Sequence, residues 1–427
     1  MSALALLLQD YGYQVSGSDA VKGEQTEKLL QKGVQVYFGE EEARTELREA
    51  DAIVYTDAIS SEHKELSSAQ KLGKQLYTRA ELLAVICKEF PNVVAVAGSH
   101  GKTTCTSMCA HIFRGLDTPF TAHIGGEDAV LGNYFSSGGD YFLTEACEYK
   151  KNLLKLPTTV AVLLNIDKDH MECYEGEQDL EACFYQFCSH SDRAFVCGDD
   201  ERCKRWVGFQ TFAIDNPLAD YRAIDIRAVG ERYAFTVEEY GKPLCRVRLN
   251  AVGRCNIYNA LGAFAAARSF GFDGESIAKG LRNFTAVKRR FERIGIWRGV
   301  SFICDYAHHP REIISTVATA KGLAKRNLYV VFQPHTFSRT KLLMEDFVGA
   351  LKPIKNLLLY KTYPAREFYD REGSAECLAE RVRCLYAGNI YALKTWIKST
   401  VKEGDVLLFL GAGDIYYTAQ YLLKELQ

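Results

Sequence analysis

The sequence lacks a strong excess of charge, a long hydrophobic run and a paired-cysteine motif. Its 52 basic and 54 acidic residues leave a net charge of -2, so charge gives no reason to expect a nucleic acid or an anionic membrane as partner. No apolar run reaches the roughly 18 residues that a membrane span requires. We therefore predict no nucleic-acid binding and no membrane insertion, and we expect a small soluble substrate.

The fourteen cysteines do not indicate a disulfide-stabilised protein. None are spaced as C-x-x-C, and several stand in apolar runs such as the one that ends at Cys304. Scattered cysteines of this kind are typical of reduced, buried thiols in a cytoplasmic protein. The short apolar run from Ala3 to Leu8 has no basic residues before it and no cleavage site after it, so we predict a helix there and not a signal peptide.

The order of apolar segments predicts an α/β protein. At 427 residues the chain is long enough for two to three domains, and its αβ alternation starts three times, the second time near Pro91 and the third near Phe291. We predict helices over 3–8, 25–32, 41–47, 104–113 and 256–268. We predict strands at 34–37, 51–56, 93–97, 141–144, 160–164, 300–304, 327–332, 356–360 and 405–410, and an antiparallel region over 209–249.

The first αβ unit begins with a helix and not with a strand. After that helix comes a strand that ends in Ser16-Gly17-Ser18-Asp19. In a doubly wound domain, a first strand and a glycine-rich turn should precede such a helix. We therefore expect Met1 to be an internal methionine of a longer protein, the alternative being a truncated form with impaired substrate binding.

The segment AVAGSHGKTT contains a candidate phosphate-binding loop. Gly101-Lys102-Thr103 matches the end of G-x-x-x-x-G-K-[ST], but position 96, where the first glycine should stand, is Val96. Gly98 and Gly101 would let backbone N–H groups approach phosphate oxygens, and Lys102 would add a positive charge. An ordinary turn between a strand and a helix, with a solvated lysine, is the alternative interpretation.

Polar side chains also follow two other predicted strands. Glu145 and Glu148 follow the strand at 141–144 and are candidate Mg²⁺ ligands, although a solvated helix start has the same pattern. Asp169 and His170 follow the strand at 160–164, where His170 is a candidate metal ligand or acid–base group, or a structural histidine. Three polar strand ends in one sheet favour a ligand site over three unrelated loops.

The succession of motifs resembles the Mur ligase family, ATP-dependent ligases that join an amino acid to a cell-wall precursor. After GSHGKTT, TEACEY and NIDKDH come GRCNIYNALGAFAAA from Gly253, VKRRFE from Val287, DYAHHP from Asp305, FQPHTFSRTK from Phe332 and GAGDI from Gly411. The family's loop has the short form G-[TS]-x-G-K-[TS], without the earlier glycine. The resemblance extends along the whole chain and therefore implies phosphate binding at 98–103.

The resemblance implies a three-domain architecture. It comprises an incomplete Rossmann-like domain for the UDP-substrate at 1–88, a central P-loop ATPase-type domain that binds ATP at 89–291, and a Rossmann-like C-terminal domain for the amino acid at 292–427. Within the family, the histidine of the lysine loop and the DYAHHP and QPH-x-x-x-R segments are most similar to members that join L-alanine to UDP-N-acetylmuramate.

The resemblance also assigns roles to individual residues. Lys102, His170 and Arg339 would be catalytic, and Lys102 would contact the transferred phosphate. Thr103 would hold one Mg²⁺, and Glu145 with His170 a second. The implied ATP-binding residues are Gly98, Ser99, His100, Gly101, Lys102, Thr103, Thr104, Asn259 at the adenine, Arg290, and Asp305 at the ribose. The implied amino-acid pocket comprises Tyr306, His308, His335 and Arg339, and the implied UDP-sugar residues are Ser18, Asp19 and His100.

The implied reaction has two steps and needs ATP and Mg²⁺. A substrate carboxylate attacks the γ-phosphate to give an acyl phosphate, and the amine of L-alanine then displaces phosphate to form an amide in peptidoglycan precursor synthesis. One alternative is the related recycling ligase that attaches a tripeptide to the same UDP-sugar. Another is an inactive UDP-sugar-binding homologue. The sequence is compatible with a monomer or a homodimer.

Two positions depart from the family pattern. Cys255 stands where a histidine often precedes Asn256, and Thr336 stands where some members have a second arginine. The second departure leaves the predicted amino-acid pocket with less positive charge.

Overall fold

The computed structural model describes residues 1–39 and 45–427, which form two compact units. The first unit comprises Met1–Ile224, Phe235–Val247 and Tyr258–Phe284, and the second comprises Asp225–Ala234, Arg248–Ile257 and Thr285–Gln427. Three family-type domains were predicted from the sequence, and their boundaries at 88 and 291 stay a prediction.

Helices and strands alternate along most of the chain. The helices are α1 Ser2–Asp10, α2 Glu24–Gln31, α3 Thr45–Glu49, α4 Lys64–Lys71, α5 Arg79–Cys87, α6 Lys102–Gly115, α7 Glu177–Ser189, α8 Cys255–Arg268, α9 Gly274–Asn283, α10 Pro310–Lys321, α11 Phe337–Leu342, α12 Met344–Leu351, α13 Ala375–Val382, α14 Ile390–Thr400 and α15 Ile415–Leu426. Short 3-10 helices lie at Tyr149–Lys155, Met171–Cys173, Cys203–Arg205 and Arg371–Gly373.

In the described residues, the strands belong to two small sheets and two large ones. They are β1 Ser16–Asp19, β2 Gln35–Phe38, β3 Ala52–Tyr55, β4 Gln75–Thr78, β5 Asn92–Ala97, β6 Phe120–Asp128, β7 Gly132–Ser136, β8 Tyr141–Glu145, β9 Val160–Leu163, β10 Arg193–Cys197, β11 Gln210–Ala213, β12 Tyr221–Val229, β13 Arg232–Glu239, β14 Lys242–Val252, β15 Glu292–Trp297, β16 Val300–Asp305, β17 Leu328–Phe332, β18 Leu357–Tyr360, β19 Leu385–Ala387 and β20 Val406–Leu410.

The first unit contains two separate parallel pairs, β1 with β2 and β3 with β4. It also contains most of a ten-stranded sheet of order β14-β13-β12-β11-β10-β9-β5-β8-β6-β7, and the boundary between the units passes through β12, β13 and β14. β5 pairs in parallel with β8 and β9, and Val93 to Ala97 are fully buried. A strand covered on both faces has a continuous apolar sequence, as here.

The second unit contains a six-stranded sheet of order β15-β16-β20-β17-β18-β19. β15 is antiparallel to β16, and the other neighbours are parallel. The central strand β20 is fully buried, and the residues that follow β16 and β17 therefore lie at one edge of a stable core. The predicted α/β fold class is confirmed.

One predicted region is wrong at its start. We predicted an antiparallel region from Phe209, but β11 is parallel to both β10 and β12. The antiparallel part of the sheet begins with the pair β12 and β13 and continues with β14, and turns of two residues join these strands.

The helix predicted over 41–47 is described only from Thr45 onward, since residues 41–44 lie outside the described part of the chain.

All fourteen cysteines are free, and nine of them are buried. Burial raises the pKa of the Cys87 thiol to about 12, so the thiolate form is scarce at neutral pH. Among the helices in the described residues, none has the length and hydrophobicity to cross a membrane.

Candidate active site

The glycine-rich loop lies between β5 and α6, at the carboxyl end of a strand that is buried from Val93 to Ala97. Gly98 and Gly101 have φ angles of 133° and 88°, which side chains other than glycine's rarely adopt. A Cβ atom at Gly98 would lie 3.2 Å from both the backbone N and O of Asn165, and one at Gly101 would lie 2.5 Å from Asn259 Oδ1. Both glycines are therefore required by conformation and by close packing.

The loop is fastened to the residues that follow β9. The Ser99 and His100 backbone N–H groups donate to the Asn165 backbone O at 3.2 Å and side-chain Oδ1 at 2.9 Å, and Asn165 Nδ2 donates to the His100 carbonyl at 3.0 Å. The Asp167 backbone N–H donates to Ser99 Oγ at 2.8 Å, and His100 Nε2 lies 3.0 Å from Asp167 Oδ2. These reciprocal bonds fasten the loop to the segment after β9 and fix its conformation.

Lys102, the first residue of α6, forms a buried ion pair. Its Nζ lies 3.0 and 2.9 Å from the two carboxylate oxygens of Glu148 and donates to the Gly98 and Ser99 carbonyls. Burial works to lower the pKa of Lys102, but the Glu148 carboxylate outweighs it and the pKa is raised. Lys102 therefore stays charged, at the position where the loop would meet a phosphate.

Three side chains beside the loop form a cluster of metal-ligand type. Ligand atoms of Glu148, Asp169 and His170 lie within 4.8 Å of one another. Two carboxylates are the donors that Mg²⁺ prefers, so this donor set fits the ion, with the buried Thr103 hydroxyl on the adjoining helix turn. Glu145, the last residue of β8, accepts a hydrogen bond from the Gly125 backbone N–H at 2.7 Å.

The other predicted residues of the first unit have different surroundings. Asn259 is buried on α8 against Gly101, within reach of the loop. Ser18 donates to Glu65, and Asp19 accepts from the Val21 backbone N–H at 3.2 Å. Both of these partners lie in the N-terminal segment, and the role of Ser18, Asp19 and His100 at the UDP-sugar stays a prediction.

In the second unit, Asp305 ends β16 and accepts several hydrogen bonds. The Phe291 and Ala307 backbone N–H groups donate to it at 2.7 and 2.8 Å, and Thr316 Oγ1 donates at 3.3 Å. Burial raises the pKa of Asp305 to about 6, against the opposing effect of the Arg290 guanidinium. At neutral pH the carboxylate is ionised and is suited to accept a hydrogen bond from a hydroxyl group.

The predicted amino-acid residues line up at the ends of β16 and β17. The Tyr306 and His308 rings have centroids 5.3 Å apart, His308 and His335 5.9 Å, and His335 stacks on Tyr363 at 5.5 Å. Arg339 lies one turn into α11, whose N-cap Thr336 accepts from the Arg339 backbone N–H. The structure thus brings three of the four predicted residues into one aromatic row.

Three family models match the chain. The Mur ligase family catalytic domain matches residues 1–91, the Mur ligase middle domain matches 96–267, and the Mur ligase glutamate ligase domain matches 289–413. A UDP-N-acetylmuramate–L-alanine ligase of Acetivibrio thermocellus is 36% identical, over 100% of this chain and 94% of that protein. The chain belongs to the Mur ligase family. A second such ligase, from Clostridium acetobutylicum, is also 36% identical, over 100% of this chain and 95% of that protein.

Solved structures of Mur ligases share the fold. A crystal structure of a UDP-N-acetylmuramate–alanine ligase from Thermotoga maritima has a TM-score of 0.85 and 25% identity, covering 100% of this chain and 96% of that one. A murein peptide ligase from Psychrobacter arcticus has a TM-score of 0.76 and 23% identity over the same shares of both chains, and this likeness shows the fold alone. The family resemblance seen in the sequence is confirmed.

In each unit, several residues beside the predicted ones were not chosen from the sequence. Asp167 and Asp169 lie in the same NIDKDH motif as His170, and the motif itself was the signal for them. Glu148 was considered beside Glu145, but spacing did not show which carboxylate would face Lys102. Arg289 donates to the Ala412 and Gly413 carbonyls at 2.9 and 2.8 Å, and only its place in VKRRFE marked it. Tyr363 lies outside every motif that we singled out.

Proposed function

We propose that this chain joins L-alanine to the carboxylate of UDP-N-acetylmuramate, converting ATP to ADP and phosphate, in peptidoglycan precursor synthesis. The observation that carries the proposal is the end-to-end identity of 36% to curated UDP-N-acetylmuramate–L-alanine ligases, together with an intact Lys102 loop. The activity predicted from the sequence is confirmed by those relatives. We assign the reaction to the cytoplasm.

The first step is the transfer of the γ-phosphoryl group to the substrate. A carboxylate oxygen of UDP-N-acetylmuramate attacks the γ-phosphorus, the bond to the bridging oxygen breaks, and ADP leaves with the electron pair. Two anions must approach each other, so catalysis is chiefly positioning and charge neutralisation. Lys102 supplies a fixed positive charge. The N-terminus of α6, which begins at Lys102, favours an anion beside it.

The second step forms the amide bond. The neutral amine of L-alanine attacks the acyl carbon, the bond from that carbon to the phosphate oxygen breaks, and phosphate leaves with the electron pair. The nitrogen then loses a proton to solvent. We propose that Arg339 binds the carboxylate of L-alanine, because a guanidinium can hold a carboxylate through two parallel hydrogen bonds. A small side chain would pack against the aromatic row of Tyr306, His308 and His335, whose rings have both apolar faces and polar atoms.

We also propose that Mg²⁺ accompanies ATP. Thr103, Glu145 and His170 were the predicted ligands, and Glu148 and Asp169 are placed beside His170. When bound, Mg²⁺ neutralises charge on the transferred phosphoryl group. Asn259 and Asp305 would contact the adenine and the ribose, while Ser18, Asp19 and His100 would contact the UDP-sugar.

The test is phosphate release from ATP and Mg²⁺ with UDP-N-acetylmuramate, comparing L-alanine, glycine, L-serine and the tripeptide of the recycling ligase. We expect turnover with L-alanine and very little with the tripeptide. Faster turnover with the tripeptide would replace the proposal with the recycling activity. Absence of turnover with every amine, while ATP still binds, would indicate a homologue that has lost catalysis.

A further inference from the structure

The turn that follows Glu148 is conformationally strained. Lys150 and Lys151, both in the 3-10 helix Tyr149–Lys155, have φ angles of 51° and 55°. Two consecutive residues other than glycine in the left-handed region are unfavourable, and such a conformation persists only where the surroundings enforce it. Strain of this kind clusters at functional sites, and this turn lies directly beside Lys102.

One carboxylate from the N-terminal segment holds this turn. Asp57 follows β3, and its Oδ1 lies 3.1 Å from Lys150 Nζ, while its Oδ2 accepts from Asn152 Nδ2 at 3.2 Å. Asn152 is buried, and Lys150 forms its salt bridge with Asp57 at 3.1 Å. Both oxygens of Asp57 are therefore engaged by the turn.

The opposite side of the turn is held by a different element. Lys151 pairs with Asp179 on α7 at 2.6 Å, and Tyr174 donates its hydroxyl to the Glu148 carbonyl. The Lys151 backbone N–H donates to the same carbonyl at 2.9 Å. With Asp57 on one side and Asp179 on the other, the backbone of Glu148 has little freedom to rotate.

The side chain of Glu148 points from this turn to Lys102. Its carboxylate is 1% exposed and faces Nζ with both oxygens. A rotation of the turn would move the carboxylate away from Lys102, whose ammonium would lose its buried counter-charge. The position of Lys102 therefore depends on contacts that begin at Asp57.

We propose that Asp57 is a positioning residue of the ligase reaction: it holds the strained turn at Lys150 and Asn152, and through Glu148 it fixes Lys102 where the transferred phosphate must lie. The assignment of Lys102 to that phosphate rests on the proposed function. Asp57 itself touches no reacting atom. It belongs to the segment that carries the predicted UDP-sugar residues Ser18 and Asp19, so that segment also supports the ATP loop.

The experiment compares Asp57→Ala and Asp57→Asn with a matched control, Lys155→Met. Lys155 lies at the far end of the same 3-10 helix and pairs with Glu81 at 3.1 Å, so Lys155→Met breaks a similar link at a distance from Glu148. For each variant we would measure kcat, the KM for L-alanine, the melting temperature, and the affinities for ADP and a non-hydrolysable ATP analogue.

We expect Asp57→Ala to lower kcat about tenfold, since a small misplacement of a catalytic group costs this much or more, with KM for L-alanine unchanged. Affinity for the ATP analogue should fall while that for ADP stays the same, because only the analogue carries a γ-phosphate. The kcat of Asp57→Asn should lie between those of wild type and Asp57→Ala, and Lys155→Met should retain the wild-type kcat.

Two outcomes would overturn the proposal. One is a kcat for Asp57→Ala equal to that of Lys155→Met, with both melting temperatures lowered alike, which would leave Asp57 a purely structural role. The other is an equal loss of affinity for ADP and the ATP analogue. If wild type shows no turnover, the proposed function fails, but the ratio of the two nucleotide affinities still decides whether Asp57 positions Lys102.

Discussion

Lys102 and Glu148 form a pair in which each charge depends on the other. Lys102→Ala should reduce phosphate release by about 10³-fold, since a donor aimed at the developing charge is lost. It should also lower the free energy of unfolding by about 3 kcal/mol, because the Glu148 carboxylate is left buried without its partner. Phosphate release and urea unfolding measure the two effects.

The double variant Lys102→Met with Glu148→Gln separates these effects. Replacing both charges removes the stranded carboxylate, so stability should recover most of its loss while phosphate release stays about 10³-fold below that of wild type. Substantial turnover in Lys102→Ala would contradict the role of the loop. Equal stability of the single and double variants would contradict the coupling to Glu148.

Among individual residues, the sequence predicted the glycine-rich loop better than it predicted Glu148, the carboxylate that pairs with Lys102. Gly98, Gly101 and Lys102 follow from a motif whose physical reasons are local: positive φ and close backbone approach. The choice between Glu145 and Glu148 depends on the left-handed turn at Lys150 and Lys151, which neither lysine favours by itself. Distant contacts enforce that turn, so spacing alone did not identify Glu148.

The residue before helix α6, Gly101, has a left-handed backbone conformation that favours glycine. Gly101→Ala should destabilise the protein, because it adds the left-handed strain of about 1–2 kcal/mol and a Cβ that displaces Asn259. Gly208→Ala is the control, since Gly208 has a similar φ of 91° with nothing within 4 Å of its Cβ position. Thermal unfolding and ATP-analogue affinity would be measured for both.

We expect a larger loss of stability for Gly101→Ala than for Gly208→Ala, and weaker nucleotide binding in the first variant alone. Equal effects of the two substitutions would mean that the loop relaxes freely around the new methyl group. In that case the packing of Asn259 against Gly101 would have no part in nucleotide binding.

The strands of the buried sheets were predictable as elements, since their apolar runs are continuous. β5, β8 and β9 lie within one residue of their predicted positions. The β6–β7 hairpin was not identified, because Gly125 and Gly126 interrupt its alternation and its register shifts between His123 and Asp128. Its pairing with β8, and not its own sequence pattern, determines its structure.

For the whole molecule, Asp305 makes stability depend on pH. The folded-state pKa of about 6 exceeds the ordinary value of 3.8, so between these values the folded state binds more protons than the unfolded state. Its contribution to stability is therefore largest below pH 3.8 and is lost as the pH rises through about 6. The melting temperature of wild type, compared with that of Asp305→Asn, should fall across this window and then stay level.

Comparing wild type with Asp305→Asn removes the effect on the melting temperature of other titrating groups, because both proteins contain them. A difference in melting temperature that is constant from pH 4 to pH 7 would mean that the backbone N–H groups of Phe291 and Ala307 offset the effect of burial in full. Arg290, the opposing charge, is present in both proteins.

The family and the α/β class were readable from the sequence because the motifs stand in order at strand ends. The division of the chain was less predictable, since the compact units depend on contacts between distant segments. The N-terminal segment belongs to the same unit as the glycine-rich loop, and Asp57 links that segment to the turn that carries Glu148.

The bonds between the loop at Ser99 and the segment at Asn165 to Asp167 also bear on how the chain folds. They join residues more than sixty positions apart, and β5 pairs with β9 across the same separation. Closing so long a stretch of chain is slow relative to local structure formation. During synthesis the loop therefore becomes ordered only after residue 167 has left the ribosome. A shorter nascent chain lacks the ordered loop that the proposed function requires for binding ATP.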